Sequence, residues 1–248
     1  MRLEELNWMD VEGYLEQDDR LILVTGACEQ HGYLSLLTDI KIPMAMADAA
    51  SNQSGVLVAP PLNFGNSPYF RDYPGTLTLR VSTLNAVVED IIRSAYHQGF
   101  RRILILNGHG GNTDSNAVVG LDLVHRLGQN VTVATGAYWD IARPRIVERG
   151  LMDGKIIPGH AGRFETSLVL ALRPDLIDPA VLAQTPEVIP QGALFGDLSG
   201  ATVQAHGGWA ATPGYTDNPA AATAAEGAAL LDVIVERVAE FLLAFGNV

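Results

Sequence analysis

The 248-residue chain predicts an α/β fold with a mostly parallel sheet covered by helices on both faces. Four short apolar runs, at residues 21–25, 55–59, 102–106 and 131–135, are rich in β-branched residues and flanked by glycine, which favours strand over helix. Segments of helical spacing lie between them. Strand and helix patterns alternate along the chain, as in folds built from parallel strands and crossover helices.

Each element has its own signal. Residues 41–51 are Ala- and Met-rich. Residues 83–98 carry Leu84, Val87, Val88, Ile91, Ile92 and Ala95, the spacing of one helix face. Residues 113–127 repeat that pattern, and residues 220–245 form a long terminal helix. Residues 184–216 hold six glycines and three prolines, and predict a long irregular excursion over the pocket or at an interface. Trp209 and Phe195 lie within it. No repeat or linker divides the chain, so residues 1–248 are expected to form one domain.

Composition excludes several classes. Apolar residues make up 48% and charged residues 18%, enough for a sizeable core. Net charge is −12, with 16 Lys and Arg against 28 Asp and Glu, which argues against a nucleic-acid backbone as partner. No apolar run reaches the roughly 20 residues that span a bilayer, so no membrane partner is expected. The acidic start lacks the basic segment and apolar core of a secretory signal. One cysteine, Cys28, excludes an internal disulfide, and a cytoplasmic location is the simple expectation. Cys28 itself is expected to be a small buried thiol under the site.

In open parallel sheets, sites gather beyond the carboxyl ends of the strands. The segments there are residues 26–39, 60–75, 107–112 and 136–145. The first holds Glu29-Gln30-His31 and then Asp39. Glu29 and His31, two apart, project to the same side of an extended chain and can pair on zinc, manganese or iron. Asp39 is close enough to join them, or to cap the helix that follows. The third is Asn107-Gly108-His109-Gly110-Gly111-Asn112. Its spacing matches neither dinucleotide nor P-loop patterns, and a histidine in the tightest part of the turn points to metal. Further on, His160-Ala161-Gly162-Arg163-Phe164-Glu165-Thr166-Ser167 precedes an apolar stretch. Glu165 there can serve a metal or the positive end of a helix, and His160 can be a loop histidine held by hydrogen bonds. No Gly-x-Ser-x-Gly elbow occurs.

Together these segments resemble the creatininase (creatinine amidohydrolase) family. Glu29-Gln30-His31-Gly32 with Thr38-Asp39, the Asn107–Asn112 turn and His160–Ser167 correspond to its motifs. Tyr73-Pro74-Gly75-Thr76 and Ala222-Thr223-Ala224 before Glu226-Gly227 add to the likeness, in order along most of the chain. The resemblance implies a Rossmann-like three-layer α/β/α sandwich, usually assembled as a homo-hexamer, with two divalent ions of zinc, iron or manganese. It implies Glu29, Asp39 and His109 around one ion and His31, Asp39 and Glu165 around the other, with Asp39 shared and His160 as general acid or base.

Three departures from the family pattern stand out. His31 to Asp39 is eight residues where nine is common, and Tyr33-Leu34-Ser35 replace a second histidine. Gly111 stands where enzymes acting on creatinine carry a glutamate. Gly111 moves the expected chemistry towards relatives that hydrolyse formamides of flavin and deazaflavin pathways, or towards the mycofactocin peptidase. The expectation is hydrolysis of a non-peptide C–N bond in a small cyclic amide or formamide. The alternatives are a metallopeptidase acting on a short peptide and a non-catalytic metal-binding assembly protein.

Overall fold

The structure, a computed structural model, describes residues 1–128, 130–154, 157–188, 209 and 212–248. Strands β1 (Arg20–Thr25), β2 (Leu57–Val58), β3 (Arg102–Asn107) and β4 (Thr132–Ala137) form one parallel sheet in the order β2-β1-β3-β4. Pairing between β1 and β3 runs in register from Arg20↔Arg102 to Thr25↔Asn107. Side chains alternate across the sheet, so the runs are apolar because both faces are covered. Ile22, Val24, Leu104 and Leu106 pack with α2 (Thr38–Ser54), α5 (Tyr138–Glu148), α6 (Arg163–Leu172) and α8 (Ala224–Phe245). Leu21, Leu23, Ile103 and Ile105 pack with α3 (Val81–Gln98) and α4 (Thr113–Leu127). The chain start, α1 (Trp8–Leu15), adds Val11, Tyr14 and Leu15 to this second core, and a short α7 (Pro179–Leu182) follows α6. The expected three layers are present.

Several boundaries differ from expectation for identifiable reasons. The run at 55–59 contributes only Leu57–Val58, because Gly55 (φ +75°) ends α2 in the left-handed conformation suited to glycine. The outer edge of β2 is covered by the chain start, where Val58 N donates to Met1 O at 3.0 Å. Residues 136–145 are mostly not loop: β4 runs into Ala137 and α5 begins at Tyr138, a helix masked in the sequence by Pro144 in its interior. α8 starts at Ala224, where Thr223 caps it by accepting from Glu226 N. α8 lies so close to α6 that a Cβ on Gly227 would overlap Ser167 O. Of the excursion, residues 189–208, 210 and 211 lie outside the described residues, and Phe195 with them. Among the described residues no helix is long and apolar enough to cross a membrane.

Candidate metal centre

Glu29, His31, Asp39, His109 and Glu165 converge on one buried point beyond the carboxyl ends of β1 and β3. Each is at most 5% exposed, a burial that isolated charges do not tolerate. Glu29 and His31 stand on the loop leaving β1, and His109 on the loop leaving β3. Asp39 is in the first turn of α2. It does not cap that helix: Leu37 occupies the cap position, and the Asp39 carboxylate turns inward. Glu165 is in the first turn of α6, and its Oε2 accepts from Ala161 N at 2.5 Å.

Backbone close approach seats Asp39. Pro43, four residues on, has no N–H to donate to the Asp39 carbonyl. That carbonyl lies in a notch between the β1 and β3 loops, where a Cβ on Gly26 or on Gly108 would overlap it. Only glycine leaves room for helix α2 to enter there.

The distances divide the ligands into two sets. His109 Nδ1 lies 2.9 Å from Asp39 Oδ2 and 3.3 Å from Glu29 Oε1. His31 Nε2 lies 2.9 Å from Asp39 Oδ1 and 3.9 Å from Glu165 Oε2. Asp39 therefore offers one oxygen to each set. Glu29 with Asp39 and His109, and His31 with Asp39 and Glu165, each bring three donor atoms within 4.8 Å of one another. A third grouping of the same kind joins Glu29, His31 and His160.

This donor set suits divalent ions, on three observations. Glu29 Oε2, His31 Nε2 and Asp39 Oδ2 are buried without a hydrogen-bond partner, although neighbouring donors and acceptors lie close. They lie within 4.8 Å of the other donor atoms of their sets. The far nitrogens of both imidazoles face carbonyls: His31 Nδ1 is 3.2 Å from Glu29 O, and His109 Nε2 is 3.0 Å from Asn66 O. A carbonyl only accepts, so each ring donates outward and, when neutral, turns its lone pair to the centre. Three carboxylates also outnumber two imidazoles, leaving negative charge for a cation to balance.

The electrostatics agree. Burial alone would lower the His31 imidazolium, but Asp39, Glu165 and Glu29 outweigh it and push its pKa up to about 10. The same competition, led by Glu29 and Asp39, holds His109 well above its usual range. Burial would raise Asp39, but His31 and His109 hold it below the usual carboxylate range. Burial raises Glu165 to about 7, with Asp39 adding to the effect. His160 goes the other way: burial and the neighbouring His31 and His109 push it well below 6.5.

His160 sits at the edge of the centre, with Nδ1 3.7 Å from Glu29 Oε1. Its ring is held between aromatics, stacked on Phe70 at 4.5 Å and met edgewise by Trp209 at 5.1 Å. Its Nε2 is 2.9 Å from the Gln30 side-chain amide and 3.0 Å from the Gln30 carbonyl. Gly32 N donates to Gln30 Oε1 at 2.9 Å, which fixes that amide. Trp209 thus brings the end of the excursion over the pocket. Cys28 departs from expectation: it is partly exposed, and its thiol faces Gly75 O at 3.5 Å, away from the centre.

Sequence reasoning missed the supporting residues. Asn112, fully buried, accepts from Asn66 N and donates to Gly26 O, both at 3.0 Å, tying the loops that carry Glu29 and His109. Thr76 accepts from Gln30 N at 3.0 Å. Tyr69 Oη lies 3.5 Å from His109 Nε2. The sequence marks segment 60–75 by its place after a strand and by Tyr73-Pro74-Gly75-Thr76, and Tyr69 and Phe70 bear no motif of their own. At Gly111, a Cβ would overlap Asn66 O and stand 2.5 Å from His109 Nε2 and 2.7 Å from Tyr69 Oη. A glutamate has no room there, and the carboxylate standing beside His31 is Glu165.

Comparison with known proteins agrees with this geometry. The family model for creatininase, described as creatinine amidohydrolase, matches residues 4–242. The chain is 32% identical to the creatinine amidohydrolase of Pseudomonas putida, over 95% of this chain and 94% of that protein. It is 30% identical to the mycofactocin precursor peptide peptidase of Mycolicibacterium smegmatis, over 89% of this chain and 83% of that protein. A solved mutant creatininase of Zn–Zn type superposes with a TM-score of 0.83 at 29% identity, covering all of this chain and 98% of that one. With the motifs in order, the fold in common and the family model spanning nearly all of the sequence, this chain belongs to the creatininase family of metal-dependent amidohydrolases.

Proposed function

We propose that the protein hydrolyses a non-peptide C–N bond in a small cyclic amide or formamide, using two divalent ions held by Glu29, Asp39 and His109 and by His31, Asp39 and Glu165. The observation that carries this is the division of the Asp39 carboxylate, one oxygen to each imidazole. Zinc, manganese and iron suit the mixed N/O donors; the Zn–Zn form of the solved creatininase supports zinc first. Ions bound there supply Lewis acidity, which acidifies water and polarises an amide carbonyl.

The chain's own residues do the rest. Glu29, Asp39 and Glu165 place three buried carboxylates around the centre. His160, kept neutral by burial, can take a proton at Nδ1 and return it to the leaving nitrogen. Phe70 and Trp209 fix the plane of its ring and shield it. Cleavage of a short peptide is a second reading, favoured by the closed position at Gly111 and by the peptidase relative. Homo-oligomerisation, as a hexamer, belongs to the proposal. Exposed Val118 and Leu121, three apart on α4, support a covered face. A cytoplasmic location accords with the single cysteine.

The test is hydrolysis of a panel containing creatinine, a hydantoin, an N-formyl arylamine and short peptides, by protein loaded with zinc or manganese. His160→Ala should keep both ions and lose roughly 10²–10⁴ in turnover. Metal loss in that variant equal to His109→Ala would make His160 a ligand. An inert parent protein carrying two ions would leave only the assembly role.

A further inference from the structure

The two non-glycine residues in the left-handed region among the described residues, Ala161 (φ +46°) and Asp217 (φ +50°), both lie at the start of α6, where Asp217 meets Gly162 and Arg163. Side chains with a Cβ rarely adopt that conformation, and it persists only where the surroundings impose it. Ala161 N donates to Glu165 Oε2 at 2.5 Å, so the unusual turn at Ala161 aims that carboxylate at the centre.

What imposes the turn is on the page. Thr216 and Asp217 grip residues 160–163 at four points. His160 N donates to Thr216 Oγ1 at 2.8 Å, and Thr216 N donates back to His160 O at 2.8 Å. Arg163 N, a free donor at the helix start, donates to Asp217 Oδ1 at 2.8 Å. Thr216 Oγ1 donates to Asp217 Oδ2 at 3.0 Å, which ties the two residues together. The fourth point is steric: a Cβ on Gly162 would overlap the Asp217 carboxylate. Asp217 is braced in turn, with Asn218 N donating to its Oδ1 at 2.7 Å and Val188 N to its carbonyl at 2.8 Å. From the opposite side, Tyr33 Oη donates to Ala161 O at 3.1 Å.

We infer that Asp217, with Thr216, is a positioning residue for the ion set of His31, Asp39 and Glu165: it holds the strained Ala161 turn that orients Glu165 and places His160 beside the pocket. The inference rests on the two-ion reading above. The other set depends on the loops after β1 and β3, to which Asp217 makes no hydrogen bond among the described residues, so its loss acts on one set and spares the other.

The experiment measures bound zinc per chain in full-length protein after equilibration against a zinc buffer, with circular dichroism and thermal midpoints as folding controls. Asp217→Ala should lower zinc affinity at one set by roughly 10–100-fold, leaving about one tightly bound ion where the parent has two. Asp217→Asn keeps an oxygen acceptor for Arg163 N and should restore the second ion. Thr216→Val releases His160 N and should weaken the same set in part, and it stands as the test if Asp217→Ala does not fold. A parent with fewer than two ions overturns the two-ion reading and this inference with it. A parent with two ions and folded variants that keep both overturns the positioning role alone, as does equal loss from both sets.

Discussion

Asp39 bridges two sets of donors with one side chain, and its removal should cost more than the removal of any ligand serving a single set. Asp39→Ala is expected to lose both ions and Glu165→Ala one; elemental analysis of the two purified variants decides, and equal near-complete occupancy would exclude the bridge. Protonation offers a second check at the same scale. In the ion-free protein the facing Asp39, against the effect of burial, pushes His31 up to about 10, and burial raises Glu165 to about 7, so both give up a proton less readily than free groups. Ligands must be deprotonated, so ion uptake should release protons, and affinity should rise with pH up to about 10, where His31 is freed of its proton. Calorimetry in two buffers of different ionisation enthalpy reads the release directly, and its absence would contradict the buried charge arrangement. The five side chains that converge and His160 could be read in the sequence because ordered motifs mark them. Gln30 and Asn112 lie in those motifs without a visible role, and Tyr69, Phe70 and Asp217 lie outside them, because their contacts arise from approaches between loops distant in sequence.

At the scale of elements, the glycine turn after β3 shows what residue identity leaves undecided. Gly108, Gly110 and Gly111 look alike in the sequence, and their surroundings separate them. A Cβ on Gly108 would overlap the Asp39 carbonyl, whereas one on Gly110 would meet nothing within 4 Å. Gly108→Ala should therefore push back the first turn of α2, cost about 1–3 kcal/mol in stability, and weaken both ion sets together. Gly110→Ala should do neither; thermal unfolding and metal content of the pair provide the comparison. Helices α3 and α4 were plain from their apolar spacing, α4 to the residue. Helix α5 was hidden because Pro144 lies inside it, and β2 was overestimated because Gly55 closes the preceding helix.

For the molecule as a whole, alternation of apolar runs with helical segments was enough to predict the parallel sheet and its two covers. The crevice beyond β1 and β3 followed from that topology. The order of the strands did not, because parallel pairing joins runs far apart in sequence with no local signal. That pairing also sets when the centre can exist. Asp39 lodges between Gly26 and Gly108, which become neighbours only once β1 lies beside β3, two strands whose ends are joined by a Thr25–Asn107 hydrogen bond across 82 residues. The ligands cannot converge in a chain that has not made this distant contact, so ion capture belongs late on the route from the unfolded state. Zinc should then leave the refolding rate nearly unchanged and slow unfolding in proportion to occupancy, which stopped-flow denaturant jumps with and without zinc would measure. Refolding accelerated by zinc would instead mean that β1 and β3 had already met when the barrier was crossed.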